Sequence, residues 1–223
     1  MIEEHELIVA RRARYYTLGQ PSAADEVWIA LHGYGQLAEE FAAAFPSLVT
    51  EHRAVVVPEA LNRYYKEKAG HRGSHAETPV GTTWMTRRYR EAEILDQVAY
   101  LDQLVGVVAP AGARICLLGF SQGAATAWRW VTFGATRFAR VVAWAGALPV
   151  DLPLDQARER IPEVGVDVVH GQRDGMISWV DVDGQVGRLR EAGIVATVTT
   201  FDGGHRIDRA ALLDVAGRPG ARA

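Results

Sequence analysis

Ser121 stands between two glycines in the run GFSQGAATAW, Gly119 to Trp128. It follows an apolar stretch, RICLLGF, and precedes small helix-forming residues. A Gly-x-Ser-x-Gly frame between a strand and a helix holds a serine on a tight turn, with its hydroxyl exposed to a substrate carbonyl. Flanking glycines leave room where strand and helix backbones converge. The turn also places the serine at a helix N-terminus, where free N–H groups favour developing negative charge. The plainer alternative is a serine that only caps the helix.

A hydroxyl nucleophile needs a base, and the base needs an orienting carboxylate. With a serine at such an elbow, the acid and then the histidine follow in chain order. Two histidines lie downstream. His170 falls inside the strand pattern of DVVHG and reads as a packed residue. His205 lies in FDGGHRID, between the last strand and the last helix, where two glycines let the loop bend back. It is the expected base. Asp174, in the loop of VVHGQRDGMIS, is the expected acid, set against an aspartate that caps a helix or pairs at the surface. Asp181 and Asp183 belong to the next helix, and Asp202 is too near the histidine loop. Two backbone donors should face the oxyanion. These are the N–H of Gln122 and, from the glycine turn of IALHGYGQ, that of Tyr34.

These positions require a scaffold. Strands are predicted at 5–18, 27–33, 54–59, 114–120, 140–146, 167–171 and 196–201. Helices are predicted near 36–50, 87–108, 122–134, 154–161, 178–192 and 206–216. Strand and helix alternate, which implies an α/β fold with a mostly parallel central sheet. The inner strands are continuous apolar runs, as expected with helices on both faces. The arginine-rich start fits an antiparallel N-terminal edge. The stretch 60–86 shows no clean period and reads as a long loop over the site. It carries Tyr64, Tyr65, Trp84 and Met85. Residues 62–90 hold seven Lys/Arg against two Asp/Glu. This is either a cationic rim for anionic esters or, the favoured reading, a solvated loop with its arginines offset by Glu91 and Glu93. Trp84, Trp144 and Met176 are the expected substrate contacts, with Tyr34 a further candidate.

A chain of 223 residues fits a single domain, with a frayed tail at about 217–223. The net charge of −3 gives no sign of nucleic-acid binding. The start of the chain lacks a signal-peptide pattern, and no apolar run is long enough for stable membrane insertion. One cysteine, Cys116, permits no internal disulfide and suits a cytoplasmic setting. His71 and His75 are four apart but flank Gly73 and lack an HExxH frame, so no metal is expected. No cofactor is expected, and oligomeric state is not legible.

The motifs LHGYGQ, GFSQGA, HGQRDGMIS and GGHRI, in this order, resemble the phospholipase/carboxylesterase family of α/β-hydrolases. The resemblance runs from about Val27 to Leu213. It implies the α/β-hydrolase fold, a triad on Ser121, Asp174 and His205, and oxyanion donors at Tyr34 and Gln122. The family often has Leu-Gly-Asp where this chain has Tyr34-Gly35-Gln36. It usually has Val-Pro where this chain reads Met176-Ile177-Ser178. The expected activity is that of a serine carboxylesterase on small or medium acyl esters. Lysophospholipase or acyl-protein thioesterase activity is the related alternative. Other chemistry on the same scaffold, or a non-catalytic binding protein, stands further off.

Overall fold

Strand β2 (Glu26–Leu31) shows how the layers arise. Successive side chains of a strand point to opposite faces. Val27, Ile29 and Leu31 join one buried cluster with Leu101 and Leu104 of α2 (Arg90–Val108) and Ala127 and Val131 of α3 (Gln122–Phe133). Trp28 and Ala30 join a second cluster with Phe41 of α1 (Ala38–Ala42) and Leu212 and Val215 of α6 (Arg209–Gly217). Burial on both faces is why the strand is apolar throughout.

The computed structural model describes residues 1–66, 77–161, 165–178 and 180–218. The remaining strands are β1 (Tyr15–Leu18), β3 (Arg53–Pro58), β4 (Asn62–Tyr65), β5 (Val80–Thr83), β6 (Arg114–Phe120), β7 (Arg140–Trp144), β8 (Val166–Gly171) and β9 (Ala196–Phe201). Helices α4 (Leu154–Arg158) and α5 (Val182–Glu191) complete the chain. Seven strands form one sheet in the order β1-β3-β2-β6-β7-β8-β9. All neighbours are parallel except β1, which runs antiparallel to β3 at the edge. A mostly parallel sheet with helices packed on both faces is the α/β architecture expected.

Three expectations need correction. The first strand is not 5–18 but Tyr15–Leu18. Pairing begins at Tyr15 opposite Pro58, where β3 ends, so residues further back have no strand beside them. Leu7, Ile8 and Val9 are consequently exposed. The helix expected over 36–50 breaks into α1 and a short 3₁₀ turn at Pro46–Leu48, because Pro46 has no N–H to continue a helix. The stretch 60–86 is not all loop, since β4 and β5 pair antiparallel from Asn62 opposite Thr83 to Tyr65 opposite Val80. His71 and His75, considered above for a metal, lie outside the described residues. No helix of the described residues is long and apolar enough to cross a membrane.

Candidate active site

Parallel strands deliver their C-terminal ends to one rim of the sheet, where open α/β folds place their sites. Ser121 follows β6, the loop holding Asp174 follows β8, His205 follows β9 and Tyr34 follows β2.

Ser121 has φ 55° and ψ −117°, in the left-handed half of backbone space. A non-glycine residue there is strained by about 1–3 kcal/mol and persists only where its surroundings enforce it. Ser121 N–H donates to Trp144 O at 2.8 Å, and Ser121 O accepts from Ala124 N–H at 3.0 Å. Its side chain makes no capping bond, although it sits at the N-cap of α3. The capping alternative therefore fails, and the hydroxyl is left available. The flanking glycines act through close approach. A Cβ on Gly119 would run into the Gly123 carbonyl, and one on Gly123 would run into the carbonyls of Leu31 and His32.

Asp174 and His205 are brought together from loops 31 residues apart, with Oδ2 and Nδ1 2.7 Å apart. The carboxylate can only accept, so Nδ1 carries a proton, and in the neutral ring Nε2 keeps its lone pair. The Asp174 side chain is almost fully buried, at 2% exposure. Its other oxygen, Oδ1, accepts from Met176 N–H at 3.0 Å. Asp174 is thus both a cap and a histidine partner, one oxygen for each. The His205 ring lies against Phe120, the residue before Ser121, with centroids 4.7 Å apart. Asp202 instead pairs with Arg173 at the surface.

The loop after β2 lies against the elbow. A Cβ built on Gly33 would sit 3.1 Å from Ser121 Cβ. Gln36 Oε1 accepts from Gly33 N–H at 2.7 Å and closes this turn. Neither Tyr34 N–H nor Gln122 N–H is committed to a turn or loop hydrogen bond among the described residues. His32, at the base of the loop, is fully buried. Its Nε2 accepts from Ala60 N–H at 3.1 Å, so its proton is on Nδ1, 2.8 Å from Gly33 O. Burial lowers its pKa to about 4.

Two of the expected substrate contacts are corrected. Trp84 and Trp144 are both 0% exposed and present no wall to a substrate. Trp84 Nε1 donates to His32 O at 2.8 Å, and Trp144 Nε1 donates to Arg206 O at 3.0 Å. Their large rings fill the two layers, and each indole N–H finds a backbone acceptor, as buried tryptophans require. Met176 is 72% exposed and Tyr34 61%, so both remain open to a substrate. The Tyr34 ring stacks on Tyr64 of β4, with centroids 5.2 Å apart. Two cations of the arginine-rich stretch have carboxylate partners among the described residues. Arg63 pairs with Glu59 and Arg90 with Asp151, while Glu93 accepts from Asn62 and from Thr86 N–H.

Sequence reasoning missed the segment Thr82–Met85. Gly35 N–H donates to Thr82 O at 2.8 Å, and Thr82 Oγ1 donates to Gln36 O at 2.6 Å. The Gln122 side chain donates through Nε2 to Met85 O at 2.9 Å and Thr83 Oγ1 at 3.0 Å. Its Oε1 accepts from Trp84 N–H at 3.1 Å. Only the match of a glutamine inside GFSQGA hinted that this side chain mattered.

An elbow serine, a histidine–carboxylate pair and two uncommitted backbone donors at the carboxyl ends of parallel strands define a serine hydrolase of the α/β-hydrolase class. The phospholipase/carboxylesterase family model matches residues 19–217, and the chain belongs to that family. It is a serine hydrolase acting on ester bonds. Solved structures share the fold at low identity. Acyl-protein thioesterase 2 from Zea mays is 18% identical with a TM-score of 0.71, over 92% of this chain and 96% of that one. Esterase PE8 is 21% identical with a TM-score of 0.63, over 92% and 97%. The Bacillus cereus carboxylesterase is 14% identical with a TM-score of 0.64, over 92% of both chains. No curated protein sequence matches the chain.

Proposed function

We propose that the chain is a serine carboxylesterase that hydrolyses small or medium acyl esters through an acyl-enzyme on Ser121. The observation that carries this reading is the uncapped Ser121 at φ 55°, at the carboxyl end of β6. His205 Nε2 takes the proton as Ser121 Oγ attacks the carbonyl carbon. Tyr34 and Gln122 N–H groups hold the oxyanion, and His205 then protonates the leaving alcohol. Water, activated in turn by His205, releases the acid. Asp174 keeps the imidazole in the required tautomer and stabilises its cation. No step calls for a metal or organic cofactor. The protein acts as one cytoplasmic domain.

A fluorophosphonate should add once to the wild type, by intact mass, and not to Ser121→Ala. p-Nitrophenyl esters from acetate to decanoate then set the acyl range. A folded wild type that takes no adduct would end the reading and leave a binding protein on this scaffold. The fold shared with the maize acyl-protein thioesterase supports a thioester alternative. One acyl group carried on oxygen and on sulfur separates the two by their kcat/KM ratio.

A further inference from the structure

The two oxyanion donors belong to different elements, and little of the sheet holds them in relation to one another. Pairing of β2 with β6 ends at Leu31 opposite Gly119. Tyr34 lies three residues beyond that point, in a loop whose Gly35 has φ 76°. Yet oxyanion stabilisation depends on donors being fixed before the charge develops. We infer that the four residues Thr82–Met85 are a tie that sets the separation of these donors. In this tie the Gln122 carboxamide is a positioning group, distinct from the Gln122 N–H. The inference rests on the active-site reading above.

The bonds of this segment go to both donors' elements. Thr82 takes Gly35 N–H and gives its hydroxyl to Gln36 O. The Trp84 indole reaches His32 O at the base of the same loop. From the other side, the Gln122 amide binds Thr83, Trp84 and Met85. Thr83 Oγ1 also donates to Met85 O at 2.9 Å, which fixes the path of the segment. Both amide hydrogens and the amide oxygen of Gln122 are used, so the group has one orientation. Thr82 and Trp84 are fully buried and Thr83 is 4% exposed, so water does not readily replace these bonds. The tie therefore clamps the 33–36 loop against the first residue of α3, and each donor is aimed through the other's support.

The test uses Gln122→Met, which keeps the backbone N–H and the side-chain length but removes every amide bond. Turnover of a p-nitrophenyl ester and the Ki of a trifluoromethyl ketone, whose hemiketal oxyanion occupies the donors, are read together. The expected result is a kcat lower by about 10- to 100-fold, with KM within about twofold. The ketone Ki should rise by a factor like the kcat loss. Thr83→Val should move both in the same direction by less. The double variant should lose less than the product of the two, because one network is broken twice. A fall confined to KM, or a kcat loss with unchanged ketone Ki in a folded variant, would overturn the tie. Ser121→Ala separates the two levels of the reading. If it still turns over ester, the active-site assignment itself fails, and the tie with it.

Discussion

At the residue scale, Asp174 and the Gln122 carboxamide are each held by more than one partner, and this makes their roles separable. Asp174→Asn retains an oxygen for Met176 N–H but puts an amide, which can donate, against His205 Nδ1. The imidazole then takes the wrong tautomer. The expected kcat is about 10³- to 10⁴-fold lower, with a melting temperature within a few degrees of wild type. Steady-state kinetics beside a thermal melt check both. His32 gives a pH dependence of stability. Its pKa is about 4 in the fold because burial disfavours the cation, against 6.5 for the ordinary side chain. Between these values the unfolded chain binds a proton that the folded chain refuses, so the contribution is complete above pH 6.5 and declines as pH falls towards 4. The full loss is about 3 kcal/mol. Urea midpoints between pH 7 and 4 should fall accordingly, and less steeply in a His32→Gln variant. Cys116 is inert by the same physics, since burial pushes its thiol up to about 12.

At the element scale, the elbow is a fit between two backbones. Strand β6 and helix α3 meet where Gly119 faces Gly123, and α3 begins against the end of β2. Gly123→Ala forces a methyl into the Leu31 and His32 carbonyls. It should cost at least about 2–3 kcal/mol and move the loop that carries Tyr34. Activity should therefore fall at temperatures where circular dichroism shows the variant still folded. Gly187→Ala, in α5, is the matching control, because its Cβ would meet nothing within 4 Å. Replacing a mid-helix glycine there should stabilise by about 0.5–1 kcal/mol.

At the scale of the whole molecule, the sheet separates chemistry from anchorage. The residues of the proposed site lie at the carboxyl ends of the strands. At the opposite ends, Asp167 of β8 binds both Arg140 of β7 and Arg218 beyond α6. Asp167 and Arg140 are buried, and the cluster ties β7 and β8 to the end of the last helix. Asp167→Ala removes the carboxylate that Arg140 and Arg218 share and should destabilise by about 3–5 kcal/mol. Because the cluster is remote from Ser121, kcat at a permissive temperature should stay within about twofold. A large kcat loss in fully folded protein would show that the two ends of the sheet are coupled.

Legibility follows the range of the forces involved. The order of strands and helices was readable, because apolar period and breakers act over a few residues. The elbow was readable for the same reason, since two glycines and a serine encode a local backbone collision that only they avoid. His205 and Asp174 could be named from chain order, but one fact about Asp174 came only from the fold. Its two oxygens serve two partners, which joins the cap and the histidine readings that the sequence set against each other. Trp84 and Trp144 read as pocket walls because aromatic residues near a site look alike in sequence. Burial on either face of a sheet is settled by packing against distant helices. The hairpin at 62–83 and the tie at 82–85 were unreadable, because their partners lie up to 52 residues away in the chain. The sequence by itself determined which atoms could react and on what scaffold. Only the tertiary structure decided which side chains were spent on packing, because hydrogen bonds between distant loops and the filling of a core are not written in any local period.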